Sequence, residues 1–137
     1  MKIGFDEIRL INALDSIARV SAKDCFVEEN TIVYLVPNEG MRKAIGKNGS
    51  TIEKVKKQLG KNIELYEYSS KPEEFFSKAF HKASVDGVEI KKMKQRNIAI
   101  VKTDNANKRV ILQNLGRLNK VKELAKRNYD IEEVRIR

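Results

Sequence analysis

The chain has few of the residues that build reactive or metal-binding sites. It holds one cysteine, Cys25, and one histidine, His81, among 137 residues. A lone cysteine cannot close an internal disulfide, and two soft ligands are too few for a structural zinc site. Cys25 lies in a strand-like run, where it is expected to be a small buried apolar residue. We therefore expect no metal and no cofactor.

Long hydrophobic runs are also missing. No apolar stretch is long enough to cross a membrane, and residues 1–7 lack the apolar core of a signal peptide. The composition is otherwise that of a globular protein, with 41% hydrophobic and 34% charged residues. We expect a cytoplasmic monomer with no membrane partner.

Acidic residues are scarce relative to basic ones. The chain has 28 Lys and Arg against 19 Asp and Glu, which gives a net charge of +9. The excess is concentrated in the second half: residues 1–70 carry 11 basic and 10 acidic residues, whereas residues 71–137 carry 17 and 9. A basic half is expected to attract polyanions, nucleic acid first. A lysine-rich surface that only maintains solubility is the open alternative.

The periodicity of the first half predicts the order helix, strand, strand, helix, loop, helix, strand. The predicted bounds are a helix over 5–20, strands over 22–28 and 31–37, a helix from the loop to about Gly60, and a strand from Asn62 to Tyr68. Asn38 is expected to cap the short helix before the loop. Tyr66 and Tyr68 share one face of the last strand, where they either stack on bases or belong to an interface.

A polar segment, 69–72, precedes a second half in which the same order returns. The predicted bounds are a helix over Glu73–Ala83, strands over Val85–Ile90 and Asn97–Lys102, a helix capped by Asp104, a further helix, and a strand over Tyr129–Ile136. When the two halves are aligned without gaps, Ile52, Val55, Leu59 and Leu65 fall on Leu118, Val121, Ala125 and Ile131. We interpret this pattern as a duplication with domains over 1–69 and 72–137. Each is near the lower size limit for its own core, so the two are expected to dock on each other.

The segment Gly46-Lys47-Asn48-Gly49 joins two helices of the first half. Glycines permit positive φ angles and close approach of the backbone to a ligand. The helix that begins near Ser50 directs N–H groups and a partial positive charge at the same place. Such a loop suits a phosphate group. A plain turn between helices is the open alternative, whereas a hairpin is disfavoured because both flanks have helical periodicity.

Catalytic motifs are poorly supported. A nucleotide-hydrolase loop needs four residues between its glycines and Ser or Thr after the lysine, but five residues separate Gly40 from Gly46, and Asn48 follows Lys47. Adjacent carboxylates such as those at 28 and 29 face opposite ways on a strand, so they do not form an acid/base pair. His81 fits a helix-end or interface position. We expect a protein that is not an enzyme.

Several segments resemble a known family. Val36-Pro37, Glu39-Gly40 and the motif over 44–49 followed by Ile52 resemble the first KH domain of NusA transcription factors. Two such modules in a short chain are similar to the compact NusA-like proteins of archaea. The resemblance implies an α+β fold of tandem type II KH domains, each with a three-stranded sheet and helices on one face. It also implies binding of single-stranded RNA in transcription elongation or termination.

The residues implied in RNA binding in the first half lie in and beside the loop. They are Arg42, Lys43, Ile45, Gly46, Lys47, Asn48, Gly49 and Ile52. By the resemblance, the glycines shape the loop and the lysine and asparagine between them contact phosphate. The isoleucines would form the floor of an apolar groove beside strand residues 31–36, and the two cations before the loop would add charge.

The second half departs from this pattern, since its matching region, 111–118, has only one glycine. Close approach of phosphate to the backbone is in doubt there, and Lys102, Lys108, Arg109 and Arg117 are expected to supply side-chain charge instead. The alternative is a structural partner with a basic surface. Two other functions stay open for the whole chain: a protein-interaction module that docks to RNA polymerase or a ribosomal partner, and binding of single-stranded DNA.

Overall fold

The chain divides into two compact units. A computed structural model describes residues 4–80 and 82–137, and the units are Met1–Tyr68 and Ser69–Arg137. The sequence-based expectation for His81 falls outside the described residues. Within those residues, every helix is too short or too polar to span a membrane.

The first unit packs helices on one face of a three-stranded sheet. Its elements are α1 (Phe5–Ala18), β1 (Asp24–Glu28), β2 (Thr31–Pro37), α2 (Met41–Ile45), α3 (Ser50–Leu59) and β3 (Asn62–Tyr68). The strand order is β1-β2-β3. β1 and β2 form an antiparallel hairpin, and β2 pairs with β3 in parallel through the connection that holds α2 and α3.

The core of the first unit lies between the helices and the sheet. Leu14, Tyr34, Ala44 and Val55 bring α1, β2, α2 and α3 into one buried cluster. The Tyr34 hydroxyl donates a 2.6 Å hydrogen bond to the main-chain oxygen of Leu10. Burial raises the pKa of Tyr34 above its ordinary value of 10.0, and the neighbouring Cys25 adds to this effect. Cys25 is a free, buried cysteine, as predicted.

The second unit repeats this architecture. Its elements are α4 (Pro72–Ala79), β4 (Gly87–Met93), β5 (Arg96–Lys102), α5 (Asn105–Gln113), α6 (Leu115–Tyr129) and β6 (Glu133–Ile136). The order is β4-β5-β6, again with one antiparallel and one parallel pair. The predicted α+β class and the internal repeat are therefore confirmed.

The largest error in the predicted elements lies at the end of the chain. The sequence predicts that the last strand begins at Tyr129, but this residue ends α6, which is 15 residues long against 10 in α3. As a result Ile131 precedes β6. In the parallel pair of the second unit Val134 lies opposite Ala99, as Leu65 lies opposite Tyr34 in the first unit. The gapless alignment of the two halves holds for the helices and fails for the final strand.

Three other local predictions were wrong. Asn38 does not cap a helix, because its side-chain amide donates to Glu67 Oε2 of β3 at 2.8 Å. The helix predicted over Glu73–Ala83 ends at Ala79. The strands predicted over Val85–Ile90 and Asn97–Lys102 lie instead over Gly87–Met93 and Arg96–Lys102, and they meet at a two-residue turn, Lys94-Gln95, in which both residues have positive φ angles. The predicted cap at Asp104 is confirmed: its Oδ1 accepts the N–H of Asn107 at 2.7 Å.

Candidate nucleic-acid interface

Gly46 ends α2 in a backbone conformation that other residues rarely adopt. Its φ is 77° and its ψ is 173°. A Cβ at this position would lie 2.7 Å from the backbone nitrogen of Thr51, closer than real Cβ atoms approach. The chain therefore reverses directly over the first turn of α3, and only glycine fits there.

The rest of the loop is a short 3-10 turn over Lys47–Gly49. Asn48 is in the left-handed region at φ 54°, which asparagine tolerates well. Gly49 is also left-handed at φ 75°, but a Cβ there would meet only Ile52 Cγ2, at 3.9 Å. The N–H of Gly49 donates to the oxygen of Gly46 at 3.2 Å, which closes the turn. The segment between α2 and α3 is thus a bent turn and not a continuous helix.

The polar side chains of this loop face solvent. Arg42, Lys43, Lys47 and Asn48 are all exposed. The two helices that flank the loop are anchored in the core, since Ala44 of α2 and Val55 of α3 are fully buried. The N-terminus of α3 lies in the same place and contributes its partial positive charge. The loop therefore gathers cationic and hydrogen-bonding groups around backbone that is open to solvent.

The apolar residues beside the loop are partly accessible. Ile45 is 39% exposed and Ile52 is half-buried. Strand residues 31–36 were expected beside them, but Thr31 is half-buried and each of residues 32–36 is at most 1% exposed. These strand side chains therefore belong to the interior and not to an accessible groove.

The two tyrosines considered for base stacking differ in exposure. Tyr66 is 1% exposed, and its hydroxyl donates to Glu64 Oε1 at 2.7 Å. Tyr68 is half-buried, with Lys23 Nζ 4.7 Å from the centroid of its ring. Tyr66 is thus packed in the protein, and the face of the Tyr68 ring is already occupied by a cation.

The corresponding joint of the second unit is built differently. Only Asn114 separates α5 from α6, and its side chain accepts the N–H of Arg117 at 3.2 Å as an N-cap. Gly116 is not in the joint at all, because it is the second residue of α6. A Cβ on Gly116 would meet no atom closer than 3.9 Å. The joint between α5 and α6, all of whose residues are described, therefore lacks the glycine-bracketed turn of the first unit.

The four cations predicted for the second unit have different surroundings. Lys102 is exposed at the end of β5, with its Nζ 3.5 Å from Glu89 Oε2. Lys108 is half-buried and Arg109 exposed, both on α5. Arg117 is half-buried, and its Nε donates to the main-chain oxygen of Ala79 at 2.7 Å. Three of the four thus present charge to solvent, while Arg117 also anchors α6 to the end of α4.

A pocket that the sequence did not predict lies beside this joint. Its volume is about 340 Å³, and its described lining residues come from the end of α4 with the turn that follows, and from α5 and α6. They are Phe80, Lys82, Ala83, Val110, Ile111, Gln113, Asn114 and Arg117. No sequence signal marks it, because it depends on how the turn after α4 packs against α5.

Comparisons with known proteins agree with this fold. Residues 11–70 match the model of the KH domain family. The chain is similar to two proteins named probable transcription termination protein NusA. It is 29% identical to that of Halococcus morrhuae over 94% of this chain and 93% of the relative, and 23% identical to that of Methanocaldococcus jannaschii over 99% and 75%. The crystal structure of APE1850 matches with a TM-score of 0.90 and 27% identity, covering 98% of this chain and 100% of that one.

The repeated sheet topology and these matches define a protein of tandem type II KH domains. The resemblance noted in the sequence is confirmed. Over nearly its whole length the chain resembles NusA-like proteins of archaea.

Proposed function

We propose that this protein binds single-stranded RNA in transcription termination and has no catalytic role. The KH fold and the names of the relatives support this at the level of the family. We further propose that the two modules, 1–69 and 72–137, act unequally and that the first holds the RNA. The observation that carries the proposal is the solvent-exposed turn between Gly46 and Gly49, with Lys47 and Asn48 at its tip.

In this proposal the sugar-phosphate backbone lies across the loop. Phosphate oxygens accept hydrogen bonds from Lys47 and Asn48 and are attracted by the positive end of α3. Gly46 and Gly49 let the strand approach the main chain without a Cβ between them. Arg42 and Lys43 add charge one turn earlier, on the exposed side of α2.

Base contacts come from the apolar side chains beside the loop. Ile45 and Ile52 offer partly exposed surface on which bases can lie. Aliphatic contacts discriminate weakly among bases because each base has an apolar face. We therefore propose that the affinity for RNA depends mainly on phosphate contacts and that the preference for particular base sequences is modest.

The second unit contributes long-range attraction in this scheme. Lys102, Lys108 and Arg109 raise the local concentration of RNA through their charge. Arg117 contributes less, because its Nε is bound to Ala79. No glycine-bracketed backbone supports a phosphate there, so the cations attract the strand without fixing its position.

The experiment replaces the tip of the loop and compares it with a matched change elsewhere. The variant Lys47→Asp/Asn48→Asp reverses charge at the tip. The control Lys94→Asp/Gln95→Asp makes the same change in net charge at the exposed turn between β4 and β5. Fluorescence anisotropy with a labelled pool of 12-nucleotide single-stranded RNAs measures affinity, and circular dichroism checks the fold.

We expect the loop variant to weaken RNA binding by at least about tenfold, which corresponds to about 1.4 kcal/mol. The control should weaken it by no more than about threefold, as expected for loss of long-range attraction alone. Equal losses in both variants would mean that only net charge matters. Unchanged affinity in the folded loop variant would remove the proposed role of the loop.

A further inference from the structure

Two leucines occupy the places that the loop glycines hold in the first unit. The gapless alignment of the halves, which matches buried Val55 with buried Val121, places Leu112 and Leu115 where Gly46 and Gly49 stand. Leu112 is 43% exposed and Leu115 is 59% exposed. A position that presents bare backbone in one unit thus presents apolar side chains to solvent in the other.

A pocket at the same joint, which Asn114 lines while neither leucine is among its described lining residues, has apolar walls. Phe80, Ala83, Val110 and Ile111 line it, and Val110 is itself 40% exposed at the edge. A volume of about 340 Å³ is enough for one large apolar side chain and the backbone that carries it. No β5 residue is among the described lining residues, so this pocket differs from the strand-side groove expected in the first unit.

The polar groups around the pocket favour an anionic partner. Lys82 and Arg117 supply positive charge, and Gln113 and Asn114 supply side-chain amides. No carboxylate is among the described lining residues. A partner that fits both features carries acidic groups next to a large apolar group.

A protein segment satisfies these features better than RNA does. The backbone of the joint is already engaged, since the N–H of Asn114 donates to Ile111 and its carbonyl oxygen accepts from Leu118. Leu112 and Leu115 carry side chains at the aligned positions where the first unit has glycines, so the bare backbone of the first loop is not reproduced there. Exposed leucines gain free energy by burial against apolar groups, and the side chains of a peptide can surround them on several sides, whereas a base offers only its flat faces.

We propose that the peptide-docking surface, defined as the pocket together with Leu112 and Leu115, binds a short acidic segment of another protein. The segment places a Leu-, Phe- or Met-type side chain in the pocket, and a carboxylate pairs with Lys82, while the charge of Arg117 adds to the attraction. The two exposed leucines pack on further apolar residues of the segment. The second KH unit is then a protein-binding module, while the first carries the loop.

The test begins with selection from a phage-displayed library of random 12-residue peptides on the full chain. The selected consensus peptide, labelled with fluorescein, is then measured by anisotropy. We expect enriched sequences in which acidic residues flank a large apolar residue. The variant Leu112→Ser/Leu115→Ser should lower the affinity for the peptide by at least about tenfold. The variant Lys82→Glu should also lower this affinity. Both changes are at exposed positions, and thermal unfolding checks that the fold is kept.

Controls separate this surface from the RNA loop. Lys47→Asp/Asn48→Asp should leave peptide affinity within about twofold, and the double leucine variant should leave RNA affinity within about twofold. The proposal is overturned if no peptide is enriched over bare support, or if the enriched peptides lack acidic residues. It is also overturned if the double leucine variant lowers the affinity for RNA and leaves the affinity for the peptide unchanged, because the surface would then belong to nucleic-acid binding.

Discussion

Gly46 lies so close to Thr51 that a methyl group on the glycine would stand 2.7 Å from the Thr51 backbone nitrogen. A methyl group on Gly49, three residues later, would make only an ordinary contact with Ile52 Cγ2 at 3.9 Å. The two glycines of the loop therefore carry different constraints. Gly46 is fixed by both space and backbone angle, whereas Gly49 is fixed by backbone angle alone.

This difference predicts unequal effects of alanine. Gly46→Ala should destabilise the first unit by at least about 2 kcal/mol, because the clash adds to a backbone conformation that only glycine adopts readily. Gly49→Ala should cost about 1 kcal/mol, the usual penalty for a left-handed alanine. Urea unfolding of the full chain measures both. Equal losses would mean that the close approach to Thr51 relaxes freely.

The glycine of the second unit should behave in the opposite way. Gly116 lies inside α6 with room for a methyl group. Gly116→Ala should stabilise the protein by about 0.5–1 kcal/mol, since alanine loses less backbone entropy in a helix. The same unfolding measurement tests this. A destabilised Gly116→Ala variant would show that the glycine is needed for a close approach after all.

Arg117 is expected to act on stability through a directed hydrogen bond. Arg117→Lys keeps the charge but removes the Nε–H group that donates to Ala79, so unfolding should become easier by about 1–2 kcal/mol. Lys122→Ala, an exposed change on the same helix, serves as the control and should stay within about 0.5 kcal/mol. If the two variants are equally stable, the hydrogen bond contributes nothing to the fold.

Tyr34 gives a prediction that depends on pH. Its raised pKa means that the unfolded chain loses this proton first, so the hydroxyl favours the folded state below about pH 10 and this contribution declines above it. Tyr34→Phe should be less stable than the wild type by about 1 kcal/mol near neutral pH. The difference should shrink between about pH 9 and pH 11. Chemical unfolding at several pH values checks it, and a difference that does not change with pH would contradict the assignment.

The sequence predicted the element order because apolar periodicity and turn residues act locally. Gly60, expected to end the helix after the loop, does so at φ 67°. The end of α6 was missed because Asp130 performs the same left-handed turn, at φ 56°, without a glycine. The second hairpin turn was not recognised for the same reason: Lys94 and Gln95 have positive φ angles, although neither residue type is typical of them.

Long-range contacts account for the remaining errors. Asn38 was expected to cap a helix, but its amide binds Glu67, which is 29 residues away. Tyr129 ends α6, where its hydroxyl donates to the main-chain oxygen of Ser69 at 2.7 Å. The pocket beside α5 likewise joins segments that are far apart in the sequence, since Phe80 and Arg117 both line it. Such contacts follow from the packed fold and leave no local pattern in the sequence.

Crosslinking of RNA to the full chain tests the central claim most directly. Single-stranded RNA that carries 4-thiouridine is irradiated in the complex, and mass spectrometry locates the attached nucleotides. Because the loop of the first unit is proposed to hold the strand, we predict that crosslinks cluster within residues 42–52, with Lys47 among them. Crosslinks confined to the second unit, around Lys108 and Arg117, with none in 42–52, would contradict the account.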